Sequence, residues 1–326
     1  MRVLLIGGTV FIGRAIAGEL AASGHELCIV HRGNHEPDGL PDARHVHVPR
    51  MELASASGEI RDFDPEAVVD NIAITAEQVR VVRDVLPAGL RYVVTSSIDV
   101  YEAYGALLAG RATEAVPLDE TSPVRGERYP YRGKGGPPQM EDYEKLDVEE
   151  LYLERDATVL RLPMVYGPND YQRREEFVLR RVRAGRTRIP TGSGTWLSTH
   201  GYVADIARGV RLALESDAAP GEVFNLCETR THPEGAWAQM ILDAAGSGAE
   251  LVRVPDDALP DDLSTLGVVG QHLLASNAKA RRVLGYTDTD PAEALRESVR
   301  WHLDNPPSEP SEDFSADDAA LERATG

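Results

Sequence analysis

The sequence is poor in cysteine, in aromatic residues and in basic residues, and each shortage argues against a class of protein. Of its 326 residues two are cysteines and 6% are aromatic, and 34 basic residues stand against 53 acidic ones, a net charge of −19. Two cysteines cannot build a disulfide framework, which favours a reducing compartment such as the cytoplasm. A strongly negative chain repels phosphate backbones, so we expect no nucleic acid as the main partner.

Long hydrophobic runs are also missing. No stretch reaches the roughly 18 uninterrupted apolar residues of a membrane-spanning helix, so we expect no membrane partner. The apolar run near the N-terminus is broken by glycines after a few residues, which predicts a strand rather than a signal peptide. With 42% hydrophobic residues, the chain can build one large two-lobed domain or two domains.

A strand, a glycine turn and a helix are predicted at the start of the chain. Residues 3–6 are apolar, glycines follow, and apolar residues recur at helical spacing from Ile12. Such a turn directs backbone N–H groups and a helix N-terminus at a pyrophosphate. Gly7 lets the chain reverse, and Gly13 lets the helix lie close to the strand. The spacing predicts a dinucleotide-binding unit, although Val10 stands where its middle glycine is expected.

Strands and helices alternate along the first half of the chain, which is typical of a parallel sheet with right-handed crossovers. The predicted fold is α/β, a Rossmann-like doubly wound parallel sheet with a smaller C-terminal α/β substrate lobe. The predicted strands cover residues 3–6, 26–31, 45–48, 67–71, 91–95, 157–162 and 223–226, and helices cover residues 12–22, 76–86 and 139–155.

This pattern divides the chain into three parts. A dinucleotide-binding Rossmann domain covers residues 1–165, with a returning segment at about 198–226. A lobe that mainly binds substrate covers residues 166–303. Residues 304–326 carry seven acidic side chains against one basic one, together with three prolines, and are predicted to be a disordered acidic tail.

Two segments and two histidines leave alternatives open. Residues 102–138 are rich in glycine and proline, which is typical of a mobile lid or of a disordered insertion. Residues 173–188 contain seven arginines, either a solvated helix face or a clamp for a phosphate or carboxylate. His200 and His232 lack neighbours at metal-ligand spacing, so we interpret both as structural and expect no metal.

Several motifs occur in an order and spacing that resemble the extended short-chain dehydrogenase/reductase family over about residues 1–303. The opening is most similar to a divergent branch of chloroplast stem-loop-binding and nucleotide-sugar epimerase/dehydratase-like proteins. The motifs are Gly7-Gly8-Thr9-x-Phe11-Ile12-Gly13, Asp70-Asn71-Ile72-Ala73, Thr95-Ser96-Ser97-x-x-Val100-Tyr101, Arg161-Leu162-Pro163-x-Val165-Tyr166-Gly167-Pro168, His200-Gly201-Tyr202-Val203-Ala204-Asp205, Phe224-Asn225-Leu226 and Ala278-Lys279-Ala280-x-x-Val283-Leu284-Gly285-Tyr286.

The resemblance implies an NAD(P)-dependent oxidoreductase, epimerase or dehydratase acting on a small molecule, such as a sugar nucleotide or a secondary metabolite. It also implies a homodimer formed through the helices after the fourth and fifth strands, residues 76–86 and 139–155. The dinucleotide contacts that it implies come from Gly7, Thr9, Phe11, Ile12, Gly13, Arg32, Ile72, Ala73, Thr95, Lys145 and Pro163.

The residues after the second strand favour NADP over NAD. In the NAD form an acidic residue there accepts hydrogen bonds from the ribose hydroxyls. Here the position is His31, followed by Arg32, whose guanidinium can pair with a 2′-phosphate. NAD remains the alternative, with Arg32 only ending the strand.

The family pattern further implies a Ser, a Tyr and a Lys as catalytic residues, and only the first fits well. Ser97 lies at the end of the fifth strand. Aligning Lys145 with the family lysine puts Glu141 in the tyrosine position, whereas aligning Tyr143 with the tyrosine puts Asp147 in the lysine position. Residues two apart on a regular helix point about 200° apart, so Tyr143 and Lys145 could not both face one ligand.

Three interpretations follow. Glu141 could serve as the acid/base, or an irregular helix start could bring Tyr143 beside Lys145. Alternatively the acid/base is lost, and the protein is a non-catalytic dinucleotide-binding sensor or scaffold. RNA binding, by analogy with the stem-loop-binding branch, is disfavoured by the charge and the few aromatic residues.

Overall fold

The computed structural model describes residues 1–324, so the last two residues of the predicted tail lie outside it. The strands that it contains are β1 (Arg2–Ile6), β2 (Glu26–His31), β3 (Arg44–His47), β4 (Ala67–Asp70), β5 (Arg91–Ser97), β6 (Thr158–Leu162), β7 (Met164–Tyr166), β8 (Arg188–Thr191), β9 (His200–Tyr202), β10 (Val223–Asn225) and β11 (Glu250–Arg253).

The helices begin and end close to the glycines and prolines of the sequence. They are α1 (Phe11–Ala22), α2 (Ser57–Phe63), α3 (Ala76–Val85), α4 (Glu102–Leu108), α5 (Lys145–Leu153), α6 (Glu176–Arg183), α7 (Val203–Glu215), α8 (Glu234–Ala244), α9 (Ala278–Leu284), α10 (Pro291–Asp304) and α11 (Ser315–Glu322). No helix within residues 1–324 is both long enough and apolar enough to cross a membrane.

Within residues 1–324 the central sheet has seven strands in the order β10-β6-β5-β4-β1-β2-β3, and every pairing is parallel. This is the doubly wound order, in which the strand sequence reverses direction between β1 and β4. The predicted Rossmann-like fold is confirmed. Ligands of such sheets bind in the crevice at the carboxyl ends of the strands beside that switch.

Alternation along β1 divides the core into two layers. Val3 and Leu5 pack in the layer that contains α1 and α7, whereas Leu4 and Ile6 pack in the layer on the opposite face, where α3 and α5 lie. All four side chains are fully buried, as expected for a strand covered on both faces.

The smaller lobe contains two short parallel pairs, β7 with β9 and β8 with β11. Helices α6, α8 and α10 pack together there. Strand β10 and helix α7, which follow in sequence, lie on the central sheet instead. The chain therefore crosses between the central sheet and the smaller lobe more than once.

Three local predictions need correction. Helix α5 begins at Lys145 rather than at residue 139, because Glu144 caps it by accepting from the Leu146 amide. The segment 102–138 is not irregular throughout, since α4 forms its start. The predicted disorder of the tail is wrong for α11, where Asp317 is fully buried against the equally buried Arg181.

Candidate dinucleotide-binding and active site

The turn between β1 and α1 is as tight as its glycines predicted. Gly7 has φ of +88°, and a Cβ at that position would lie 2.4 Å from Ile72. A Cβ on Gly13 would lie 1.8 Å from the Gly7 carbonyl oxygen, so α1 can approach β1 only because residue 13 is glycine. Phe11, the first residue of α1, has φ of +41°, a strained value typical of functional turns.

The same edge of the sheet collects the other predicted cofactor residues. Thr9 lies in the turn before α1, and Ile12 lies in the first helical turn of α1. Arg32 directly follows β2, and Pro163 follows β6. Thr95 in β5 donates to the Asn71 carbonyl oxygen over 3.2 Å, which ties β5 to the end of β4. These predicted cofactor residues therefore lie along the carboxyl ends of the central strands.

Two apolar side chains beside the glycine turn are exposed to solvent. Val10 is 43% exposed and Ile72 is 42% exposed, although both lie at the switch point rather than on the outer surface of a helix. Together with the glycine turn they form an exposed surface at the switch point of the sheet, which we call the cradle. The residues present therefore fit a nicotinamide dinucleotide at this edge.

Lys145 is a buried ammonium below this cradle. Its Nζ donates to the carbonyl oxygens of Ala73 over 2.6 Å and of Thr95 over 2.9 Å, which places it between the ends of β4 and β5. Burial lowers the pKa of Lys145 to about 8, although the nearby Asp99 carboxyl acts in the opposite direction. A lysine held in this way can donate hydrogen bonds to a ligand bound above the strand ends.

Tyr143 precedes α5 rather than lying in it, and its side chain contacts the same Asp99 carboxyl whose charge acts on Lys145. The Tyr143 hydroxyl donates to Oδ2 of Asp99 over 2.7 Å, and both side chains are buried. Burial and the Asp99 carboxyl raise the pKa of Tyr143 well above its ordinary value, whereas the Ser97 hydroxyl lowers it. Ser97, Asp99, Tyr143 and Lys145 therefore form one cluster at the end of β5.

Asp99 has an unusual environment for a carboxyl group. Burial raises its pKa, while hydrogen bonds from Tyr143 and Tyr131 and the charges of Arg125 and Lys145 act in the opposite direction. Its Oδ1 has no hydrogen-bond partner among the described residues, and the residue is buried, with only 5% of its surface exposed. Burial therefore favours the protonated form of this carboxyl.

The segment 102–138 contributes to this cluster. Tyr131 donates to Oδ2 of Asp99 over 3.2 Å and shares a hydrogen bond of 2.9 Å with Tyr104. Arg125, which is 4% exposed, pairs with the fully buried Glu144 at 3.1 Å. This ion pair anchors the segment to the residue between Tyr143 and Lys145.

Glu141 is removed from the candidate acid/base residues. It lies on the loop before α5 and is partly exposed, and its Oε2 accepts from the Gly133 amide at 3.0 Å. No hydrogen bond or ion pair in residues 1–324 joins it to Ser97, Asp99 or Lys145. The irregular helix start explains this, because it turns Tyr143 inward and leaves Glu141 outside.

The arginines of residues 173–188 are neither a solvated face nor a complete clamp. Most pair with acidic side chains of the same lobe: Arg180 and Arg181 with Asp262, Arg181 with Asp317, Arg183 with Glu176 and Arg186 with Asp318. Arg173, Arg174 and Arg188 make no ion pair within residues 1–324, and of these three only Arg174 has a buried Nε without a hydrogen-bond partner. The charge of Arg174 acts to lower the pKa of Tyr104 and of His200, so it lies near both side chains.

His200 lies in an apolar stack. Its ring stacks on Trp237 with centroids 4.1 Å apart, and burial lowers the pKa of His200 to about 3. Burial also raises the pKa of Glu234, 3.6 Å away, to about 8. Burial therefore favours the uncharged form of both groups, which argues against an ion pair between them.

Sequence reasoning missed Asp99 and Tyr131, and it considered Arg174 only as one of the seven arginines of residues 173–188. Asp99 occupies a position that the family motif leaves variable, two residues after Ser97, and its acidic side chain inside an apolar run was a usable signal. The other two lie in segments without regular periodicity. Nothing local in the sequence shows which way their side chains point.

A doubly wound sheet with a glycine cradle at its switch point and a Ser, a Tyr and a Lys near the end of β5 is typical of the NAD(P)-dependent enzymes of the extended short-chain dehydrogenase/reductase type. The chain belongs to the NAD dependent epimerase/dehydratase family, whose model matches residues 3–227. The resemblance expected from the motifs is therefore confirmed.

Individual relatives are distant. The chain is 26% identical to chloroplast stem-loop binding protein of 41 kDa b of Arabidopsis thaliana, over 99% of this chain and 84% of the relative. It is also 26% identical to a 3-diazoavenalumate denitrifying reductase of a Streptomyces species, over 90% and 97% of the two chains. UDP-glucose-4-epimerase of Stenotrophomonas maltophila, solved with bound NAD and formylated UDP-arabinopyranose, superposes with a TM-score of 0.70 at 18% identity, over 93% and 98%.

Proposed function

We propose that the protein transfers a hydride between a nicotinamide dinucleotide and a secondary alcohol or carbonyl carbon of a small anionic substrate such as a sugar nucleotide. The observation that carries this proposal is the Ser97–Asp99–Tyr143–Lys145 cluster at the carboxyl end of β5. A bound nicotinamide would accept or supply the hydride. The chain's own residues must then bind the substrate and move the accompanying proton.

Tyr143 is the proposed proton carrier to the substrate oxygen. Its raised pKa keeps the phenol protonated at neutral pH, which suits donation of a proton to a carbonyl oxygen as hydride arrives. The phenolate left behind is unfavourable beside a charged Asp99. Burial raises the pKa of Asp99, which favours its uncharged form and lessens this repulsion across the 2.7 Å hydrogen bond.

The remaining residues have positioning roles. Ser97 would hydrogen-bond the substrate oxygen from the side opposite Tyr143, and Lys145 would hold the nicotinamide ribose above Ala73 and Thr95. Arg174, with its unpaired Nε, would bind the negative charge of the substrate. The enzymes known to bind sugar nucleotides among the structural neighbours support a substrate of this class.

We further propose NADP as the preferred dinucleotide. Arg32 is exposed beyond the end of β2 and makes no ion pair within residues 1–324. The position of His31 carries no carboxylate, and a carboxylate there would repel a 2′-phosphate. The structural neighbours include enzymes solved with NAD, so NAD is the competing cofactor in the tests below.

The proposal is tested by incubating the purified full-length chain with NADP⁺ or NADPH and a panel of nucleotide sugars and carbonyl compounds. Products are followed by NMR, since an epimerase causes no net change in nicotinamide absorbance. Turnover that Tyr143→Phe abolishes and Glu141→Gln retains supports the proposal. A wild type that binds dinucleotide but shows no turnover with any compound favours the sensor or scaffold interpretation.

A further inference from the structure

Four side chains that bind metals in other proteins converge at the outer edge of the central sheet. His31 ends β2, whereas His45 and His47 lie on the neighbouring β3 with one residue between them. Because side chains alternate along a strand, the two β3 histidines share one face. The register pairs His31 with His47, and Glu36 reaches the same face from the β2–β3 loop.

The ligand atoms of these four residues all lie within 4.8 Å of one another. His31 Nε2 is 2.8 Å from His45 Nδ1, and Glu36 Oε1 is 3.4 Å from His31 Nε2 and 4.0 Å from His45 Nδ1. Glu36 Oε1 also contacts His47 Nε2 directly. A tetrahedral Zn²⁺ with bonds of about 2.0 Å holds its ligand atoms about 3.3 Å apart, a spacing within this range.

The donor chemistry matches as well. Three imidazoles and one carboxylate form a nitrogen-rich set that suits Zn²⁺ and other late divalent metals rather than Mg²⁺ or Ca²⁺. One carboxylate oxygen cannot satisfy three rings at once: Glu36 contacts His47, while His31 Nε2 and His45 Nδ1 lie within hydrogen-bond distance of each other. His47 and Glu36 are about half exposed, which gives an ion a path to the site.

We propose that His31, Glu36, His45 and His47 form a binding site for a divalent transition metal of the Zn²⁺ class. The ion fastens the β2–β3 loop to the sheet edge, next to Arg32. In the structure, His31 Nδ1 accepts a hydrogen bond from the Gly33 amide at 3.2 Å. Coordination of the metal through Nε2 puts the ring proton on Nδ1, which then cannot accept this hydrogen bond. Gly33, with φ of +76°, has the backbone freedom to turn this amide away.

The first test is a Zn²⁺ titration of the full-length chain, without a histidine tag and stripped of metal, against a chromophoric chelator. Wild type should bind one ion per chain, and His45→Ala and His47→Ala should each bind at least about tenfold more weakly. The control is His35→Ala, since this exposed imidazole lies beside Glu36 but outside the cluster. Equal affinity in wild type and both ligand variants would overturn the proposal.

A second measurement does not depend on how well the variants fold. X-ray absorption at the zinc edge of the loaded wild type should show three nitrogen ligands and one oxygen ligand at about 2.0–2.2 Å. An anomalous difference peak in crystals should lie between His31 and His47. A peak elsewhere on the chain, or a spectrum dominated by water oxygens, would contradict the assignment.

Discussion

The hydroxyl of Tyr143 and the carboxyl of Asp99 share a buried hydrogen bond of 2.7 Å at the end of β5. The contact exists because Tyr143 precedes α5, which begins only at Lys145. It gives the phenol a partner that opposes its ionisation and can itself carry a proton. The predictions below follow from this pair and from the residues around it.

Replacing Tyr143 by Phe should remove the proton carrier and leave the cradle intact. We expect kcat to fall by about 100- to 1,000-fold, within the range for losing a general acid. Dinucleotide affinity should change little, since Lys145 is untouched. Steady-state kinetics with the identified substrate and calorimetry with NADP⁺ check both parts, with Glu141→Gln as the control. A Tyr143→Phe enzyme with wild-type kcat would exclude this role.

Replacing Asp99 by Asn removes a carboxyl that raises the pKa of Tyr143 and keeps the shape of the side chain. The pKa of Tyr143 should therefore fall toward its ordinary value of about 10. In the pH profile of kcat, the limb that reports loss of the phenol proton should move to lower pH. An unchanged limb with a uniformly lower rate would indicate that Asp99 only supports the local structure.

Arg32→Gln tests the choice of dinucleotide. If Arg32 pairs with a 2′-phosphate, the variant should bind NADPH about 10- to 100-fold more weakly, whereas NADH affinity should hardly change. Arg44→Gln is a suitable control, because this exposed arginine begins β3 at the amino ends of the strands, whereas Arg32 follows the carboxyl end of β2. Equal effects on both dinucleotides, or a wild type that prefers NADH, would overturn the NADP assignment.

Asp317→Asn tests whether the C-terminal helix α11 is part of the folded lobe. The variant leaves Arg181, which is fully buried, with only the partly exposed Asp262 as a charged partner. We expect the free energy of unfolding to fall by about 3 kcal/mol, as when one partner of a buried ion pair is removed. Glu312→Gln, an exposed acid on the same segment, should have no measurable effect in urea denaturation. A disordered tail would make both variants neutral.

The sequence was sufficient for the features that are local. The glycine turn, the apolar strands of the sheet and the alternation of helices depend on short patterns, and the structure contains them within a few residues of the predicted bounds. Ser97 and Lys145 follow from motif spacing in the same way. The conflict between Tyr143 and Lys145 left three interpretations open, and one of them was the irregular helix start that the structure contains.

The remainder depends on contacts between distant residues. The start of α5 is fixed partly by Glu144, which pairs with Arg125 from 19 residues earlier. Helix α11 is held by Asp317 and Arg181, which lie 136 residues apart, so an acidic composition alone suggested disorder. The histidine cluster is spread over two strands and a loop, and only their pairing brings it together. Such relations have no signature within a single segment.

The central claim is that the cradle holds a nicotinamide dinucleotide against the Lys145 ammonium, and calorimetry of NADP⁺ and NAD⁺ binding at pH 7 and pH 9 tests it most directly. Because burial lowers the pKa of Lys145 to about 8, the ammonium is present at pH 7 and mostly lost at pH 9. Wild type should bind one dinucleotide per chain at pH 7 and up to about tenfold more weakly at pH 9. Lys145→Met should bind weakly at both pH values. No binding of either dinucleotide by wild type, or equal binding by wild type and Lys145→Met, would contradict the account.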